Sequence, residues 1–194
     1  MWAVPTADEL RPLIRDIPDF PQAGVTFRDI TPLLGDAAAL RAATELMVVP
    51  FDGPITKVVG IEARGFILAA PIALALGAGF VPVRKAGKLP FDIEAEEYVL
   101  EYGVDLLEIH RDAVLPGEHV LIVDDVLATG GTAAATARLV EKLGGVVAGF
   151  AFVMELTFLD GRLALPGQDV NALVAYDGGS SVEAQAVAAP GAGE

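Results

Sequence analysis

Val120 to Thr132 reads VLIVDDVLATGGT. With His119 ahead of it, the run HVLIVDD (119–125) has the apolar continuity of a strand buried on both faces. It ends in two adjacent carboxylates, Asp124 and Asp125. A loop of small residues then opens a helix expected from about Thr132 to Leu143, closed by Gly144 and Gly145. The carboxyl ends of strands in an open α/β sheet form a ligand crevice. At the helix start the N–H groups of Ala128, Thr129, Gly130, Gly131 and Thr132 lack carbonyl partners and point at an anion. Gly130 and Gly131 let backbone approach phosphate oxygens, and the hydroxyls of Thr129 and Thr132 add donors. No lysine follows the glycines, so this is not a Walker A loop, and GxGxxG is absent. Paired acids beside a phosphate cradle suit sugar hydroxyls or magnesium. Together they suggest a ribose 5-phosphate site. The alternative is a strand-capping Asp124 and a solvated Asp125.

Working outward, the chain alternates strands and helices. KVVGI (57–61) reads as a strand, EARG as its turn, Gly65 to Leu76 as a buried helix and GFVPV (79–83) as the next strand. VVAGFAFVME (146–155) and NALVAY (171–176) follow as further strands. This pattern gives an α/β fold with a mostly parallel sheet flanked by helices. The stretch from Gly65 to Val83 carries no charge and is long enough to span a bilayer, but Pro71, Gly77, Gly79 and Pro82 interrupt it. A buried helix followed by a buried strand is the expected reading. The first fifty residues read as a helical arm with an irregular insert: a helix over Glu9–Asp16, the turn-rich IPDFPQAG, then FRDITPLLGD and a helix from about Ala37 to Val48 capped by Asp36. Residues 84–98 (RKAGKLPFDIEAEEY) have no sustained apolar face and suggest a lid. VLEYGVDLLEI (99–109) alternates like a strand pair or hairpin arm. One domain is expected over 1–176, with a hood at about 1–50, a mobile lid loop at about 84–102 and a frayed tail at 177–194.

Composition removes several function classes. The chain has 194 residues, with 13 Lys and Arg against 27 Asp and Glu, a net charge of −14. Such a field repels polyanions, which argues against nucleic-acid and anionic-membrane binding but leaves room for a small anion in a local pocket. No cysteine is present, so disulfides, thiolate metal sites and cysteine nucleophiles are excluded. His110 and His119 lack metal-ligand spacing. The N-terminus carries acids and proline where a secretory leader needs an apolar run. A cytoplasmic protein is expected. Arg84, Lys85 and Lys88 form the densest basic cluster and read as an anion site, the alternative being a solvated loop.

The segment VVDDxxATGGT resembles the signature of the type I phosphoribosyltransferases. Four further stretches narrow the likeness to the adenine phosphoribosyltransferase family: IPDFPQAGVTFRDITPLL (17–34), VVGIEARGFILAAPIA (58–73), PVRKAGKLP (82–90) and LEYGVDLLEIHRDAV (100–114). The resemblance covers roughly residues 10 to 155. It implies transfer of ribose 5-phosphate from 5-phosphoribosyl 1-diphosphate to N9 of adenine, giving AMP and diphosphate, with Mg2+ held mainly by the substrate and a homodimeric assembly. It assigns the 5-phosphate to Ala128–Thr132 and the ribose hydroxyls to Asp124 and Asp125. The turn Glu62-Ala63-Arg64-Gly65, which often carries a cis peptide in this family, would hold diphosphate. Arg84, Lys85 and Lys88 would surround it, with Arg84 reaching toward a neighbouring subunit's site. Glu101 would take the proton that adenine sheds, with Tyr102 near the lid. The backbone around Val25 and Arg28 would read the base, with Phe27 stacked on it.

Two other readings share this pattern: the same transfer to xanthine, hypoxanthine or guanine, and a non-catalytic sensor of the donor. The chain also departs from the family at Ala86 and Phe91. Its lid acids Asp92, Glu94, Glu96 and Glu97 would repel diphosphate if they faced inward, so they are expected to face solvent.

Overall fold

The computed structural model describes residues 6–100 and 103–178, and at 99, 100, 103 and 104 the backbone alone. The elements run α1 (Ala7–Leu10), β1 (Arg15–Pro18), β2 (Thr26–Asp29), α2 (Thr31–Gly35), α3 (Ala37–Val48), β3 (Lys57–Ile61), α4 (Arg64–Leu76) and β4 (Gly79–Lys85). Then come β5 (Ile93–Leu100), β6 (Gly103–His110), β7 (His119–Leu127), α5 (Gly131–Lys142), β8 (Val146–Leu156) and β9 (Val170–Tyr176). Short 3-10 turns cover Arg11–Leu13, Thr157–Leu159 and Gly161–Ala164.

Seven strands form one sheet in the order β5-β6-β4-β3-β7-β8-β9. The β3–β4, β3–β7, β7–β8 and β8–β9 pairs are parallel. The β5–β6 arm joins antiparallel through Arg84↔Glu108 and Lys85↔Leu107. Successive side chains on a strand point to opposite faces, and β7 shows why its apolar run is continuous. Leu121 and Val123 pack with Leu68 and Ile72 of α4 and with the alanines of α3. Val120 and Ile122 pack with Leu139 and Val140 of α5. Each face is thus closed by helices, as the sequence implies.

The uncharged run from Gly65 divides into α4 and β4. Among the described residues no helix is long and apolar enough to cross a membrane. Asp36 caps α3, accepting from the amides of Ala38 and Ala39 at 2.9 Å each.

The N-terminal region differs from expectation. The helix ends at Leu10, not Asp16, because Pro12 cannot donate to the helical ladder and its ring crowds the preceding turn. Arg15–Pro18 is instead a strand, paired antiparallel with Thr26–Asp29 in a separate two-stranded ribbon. The insert taken as irregular is therefore an ordered hood. Residues 84–98 also differ: β5 begins at Ile93 within them. Of the expected frayed tail, Asp177 accepts a 2.9 Å bond from the Thr157 hydroxyl, Gly178 is exposed, and residues 179–194 lie outside the described residues.

Candidate active site

β3, β4 and β7 are parallel neighbours, so the turn after β3, the cations at the end of β4 and the loop after β7 gather at one edge of the sheet. Asp125 continues the Leu121–Val123 register toward α4. Its carboxylate is 3% exposed and lies 2.7 Å from Arg64 Nε. That contact lacks hydrogen-bond geometry, and Oδ2 is left without a hydrogen-bond partner. Asp124 is half-buried, and its Oδ1 accepts from the Asp125 amide at 2.9 Å. Burial, then repulsion from Asp125, push the Asp124 carboxyl well above the ordinary aspartate value. Burial raises Asp125 too, with Arg64 opposing the shift. The solvated Asp125 of the alternative reading is not what forms.

The loop after the doublet is a tight cradle. Gly130 sits at φ +80, and a Cβ there would stand 2.3 Å from the Gly161 carbonyl oxygen. Ala128–Gly131 is therefore pressed against the 3-10 turn at Gly161–Ala164, a support the sequence reading missed. The Asp-Gly pair at 160–161 was its available signal. Glu155 anchors that turn, accepting from Arg162 Nε at 2.8 and 3.0 Å and from Nη2 at 2.8 Å. The first amides of α5 have no carbonyl acceptors within the helix, and they open beside the acidic doublet.

The Glu62–Arg64 turn carries a cis Glu62–Ala63 peptide, as the resemblance implies. A Cβ on Gly65 would meet the Val123 carbonyl oxygen at 2.7 Å, so the turn lies directly against the end of β7. Glu62 corrects an assignment. Its side chain offers an anion no donor: the carboxylate accepts from Arg84 Nε at 3.2 Å, Arg84 Nη2 at 3.4 Å and the Lys85 amide at 3.1 Å, and it also pairs with Lys88. Burial opposes its ionisation, but Lys88, Arg84 and the Lys85 amide outweigh it and hold the carboxyl below its ordinary value. Glu62 thus gathers the cations of the expected anion site. Arg84 is paired within its own chain.

Arg64 also joins the hood to this site. Its guanidinium carbon lies 5.3 Å from the centroid of Phe27, whose ring meets Phe20 edge-on at 5.4 Å. The Arg28 side chain is directed away, paired with Asp16 and stacked at 4.5 Å on Tyr176. Val25 is buried, its amide donates to the Gln22 carbonyl and its carbonyl accepts from Phe20. Backbone readout by Val25 is therefore reduced to one carbonyl lone pair. Among the described residues β2 pairs with β1 in a two-stranded ribbon.

The arm acids likewise differ from expectation. Asp92 and Glu97 are exposed, but Glu94 and Glu96 are half-buried, on the face turned to α5. Glu96 pairs with Arg138 and lies 2.7 Å from Lys142, and Glu94 pairs with Arg111 at 3.3 Å and Lys142 at 3.8 Å. The Ala95 carbonyl accepts a further 3.0 Å bond from Lys142. On the same face Tyr98 and Asp105 are bonded at 3.0 Å, and Lys85 lies 3.5 Å from Asp105. Sequence reading singled out neither Tyr98 nor Asp105. Glu101 and Tyr102 lie outside the described residues. Among the described residues no group of three or more metal-ligating side chains forms.

Comparison with known proteins bears on this arrangement. Residues 33–161 match the family model described as the phosphoribosyl transferase domain. An adenine phosphoribosyltransferase of Myxococcus xanthus is 56% identical over 169 residues, 87% of this chain and 92% of its own. One from Methylococcus capsulatus is 58% identical over 170 residues, 87% and 99% of the two chains. The crystal structure of the Rhodothermus marinus adenine phosphoribosyltransferase superposes with a TM-score of 0.84 at 55% identity, covering 88% of this chain and 98% of its own. That of Saccharomyces cerevisiae, complexed with an imino-altritol bisphosphate and adenine, gives 0.82 at 42% identity, covering 86% and 97%.

Proposed function

The chain belongs to the phosphoribosyltransferase family and, within it, to the adenine phosphoribosyltransferases, and from that membership we propose how its residues divide the reaction. The enzyme transfers ribose 5-phosphate from 5-phosphoribosyl 1-diphosphate to adenine, forming AMP and diphosphate. One observation carries the assignment of the site: an acidic doublet, Asp125 buried and ion-paired with Arg64, stands beside an amide-lined cradle. Burial sets both carboxyls against ionisation, and ribose hydroxyls would donate to them. Ala128, Thr129, Gly130, Gly131 and Thr132 hold the 5-phosphate through backbone N–H groups, and Asp124 and Asp125 take the hydroxyls. When the hydroxyls arrive, Arg64 is released from Asp125 toward the diphosphate.

Arg64, Arg84, Lys85 and Lys88 hold the diphosphate, with Glu62 and Ala63 shaping the turn beneath it. Donors there stabilise charge on the departing group, each worth on the order of 3 kcal/mol. The hard carboxylate oxygens of Asp124 and Asp125 fit a magnesium ion carried in by the donor, whose chemistry is to neutralise the diphosphate. Phe27 forms the wall against which adenine stacks, and the backbone around Val25 and Arg28 reads its hydrogen-bonding groups. Glu101 is proposed to accept the proton that adenine loses, a task for an ionised carboxylate. Tyr102, next to it in sequence, is proposed to belong to a lid at 84–102 within a single domain spanning 1–176.

A homodimer is proposed on the outer face of α4, where Ile67 and Leu74 are exposed on a helix with no charge after Arg64, with Phe80 exposed at the start of β4. Apolar surface of that kind favours a second copy. The phosphorylated substrates do not cross membranes, which supports a cytoplasmic location.

The deciding measurement is AMP formation from adenine and the donor with Mg2+, beside hypoxanthine, guanine and xanthine. Adenine is expected to be used best; preference for a 6-oxopurine overturns the base assignment, and donor binding without turnover overturns the enzyme. Glu101→Ala is expected to lose most turnover while retaining donor binding. Unchanged turnover removes Glu101 from the mechanism.

A further inference from the structure

Asp105 stands at a junction fixed by strand register. Across β5–β6 it is directly opposite Tyr98, and across β4–β6 Lys85 is opposite Leu107, two residues further along the same face. Direct and diagonal neighbours on one face are within side-chain reach. The contacts follow from this: Asp105 Oδ2 accepts from the Tyr98 hydroxyl at 3.0 Å and lies 3.5 Å from Lys85 Nζ, while Oδ1 accepts from the Leu106 amide at 2.9 Å. Both carboxylate oxygens are therefore held. Tyr98 is 7% exposed and packed among the residues that face α5.

We propose that Asp105 and Tyr98 are positioning residues for the donor: together they hold Lys85 in a fixed place at the diphosphate end. The inference rests on the donor site assigned above.

The physical case is one of orientation. Lys85 is half-exposed, and its four-carbon stem carries considerable rotamer freedom. An exposed lysine–carboxylate pair contributes little by itself. A carboxylate anchored by a backbone amide and a buried phenol is different, because its geometry does not fluctuate with the lysine. Burial, then Asp105, push the Tyr98 phenol up to about 12. It stays neutral and gives its single proton to Asp105. Partial burial opposes ionisation of Asp105, but the Leu106 amide, Tyr98 and Lys85 outweigh it and hold the carboxyl below its ordinary value.

The experiment is steady-state kinetics on the full chain with both substrates varied, for wild type, Asp105→Asn and Tyr98→Phe. The expected result is a rise of about fivefold in KM for 5-phosphoribosyl 1-diphosphate in each, with kcat and the adenine KM unchanged. In a Lys85→Met background, Asp105→Asn is expected to raise the donor KM less than it does alone. Tyr98→Phe removes one oxygen and keeps the ring, so it carries the test if Asp105→Asn does not fold. Equal effects on both substrates, or none, would overturn the inference while leaving AMP formation by the wild type intact. If the wild type makes no AMP, the functional reading itself fails and this inference falls with it.

Discussion

Asp124 and Asp125 lie near the end of β7, a strand buried on both faces, with Arg64 as their nearby cation. Glu94 and Glu96 lie on the edge strand β5 and meet Arg111, Arg138 and Lys142. The first pair is held in a state that costs stability, since burial raises both carboxyls and the Asp125 charge raises Asp124 further. Lys142 and Arg138 bond to Glu96 and lower its carboxyl. Groups arranged against their own ionisation mark a site awaiting a ligand, whereas groups arranged in favour of it join parts of a scaffold. The two regions meet at α5: its first turn lines the cradle, and its outward face, through Arg138 and Lys142, holds the arm.

The largest effect should come from filling the cradle. Gly130→Ala places a methyl 2.3 Å from the Gly161 carbonyl, in a backbone conformation at φ +80 that alanine resists. Neither side of that contact is a flexible side chain, so the loop must move. A loss of about 2–4 kcal/mol in stability is expected, together with loss of most AMP affinity. Calorimetric titration with AMP and thermal unfolding check the two parts. Retained AMP affinity would show that the loop does not hold the phosphate.

Next in size is Asp124→Asn, whose two expected consequences have opposite signs. Donor binding should weaken about 10- to 100-fold, because a charge-assisted hydrogen bond to a ribose hydroxyl is lost. Stability should rise, because the amide keeps its bond to the Asp125 N–H and removes the repulsion. The pH dependence follows from linkage. With the folded carboxyl raised above the ordinary 3.8, the native state binds the proton more tightly than the unfolded chain. Wild-type stability from this group therefore falls as pH climbs from about 3.8. The advantage of the variant should grow over the same interval. Denaturant titrations between pH 4 and 8 measure it, and a variant less stable than wild type at pH 7 would contradict the repulsion.

How much of this was legible from residue order depends on how local the chemistry is. The cradle is one contiguous run, so strand, acids, glycines and helix start could be read together. The cap Asp36 and the break at Gly77 were readable for the same reason. The arm was not, because Glu96 meets its arginine 42 residues away and the Ala95 carbonyl its lysine 47 away. Without those partners, alternating acids look like a solvated loop. The hood failed differently: β1 and β2 are four-residue strands with charged positions, β1 mostly exposed and β2 half-buried throughout, too short for a period of two to emerge. Glu62 was placed in the right turn but given the wrong task, since only geometry reveals that its carboxylate faces the cations.

The smallest effect tests the other half of the comparison. Glu96→Gln removes the charge that Arg138 and Lys142 share, without removing the hydrogen-bonding shape of the side chain. The pair lies at the surface and both cations stay solvated, so the expected loss is about 0.5 kcal/mol. Its sign with pH is the reverse of that for Asp124. A carboxyl lowered in the folded state stabilises fully above the ordinary 4.5, and that contribution disappears as pH falls toward the folded value. Glu96→Gln should therefore be slightly less stable than wild type at pH 7 and converge on it from below as the solution is acidified, while Asp124→Asn converges from above. Added salt should shrink the Glu96 difference, because its partners Arg138 and Lys142 are solvated and such pairs are screened, and act less on the Asp124 difference, whose first cause is desolvation and not attraction to a solvated partner. If both differences responded equally to salt, the division of these acids into a strained site and a relaxed scaffold would be wrong.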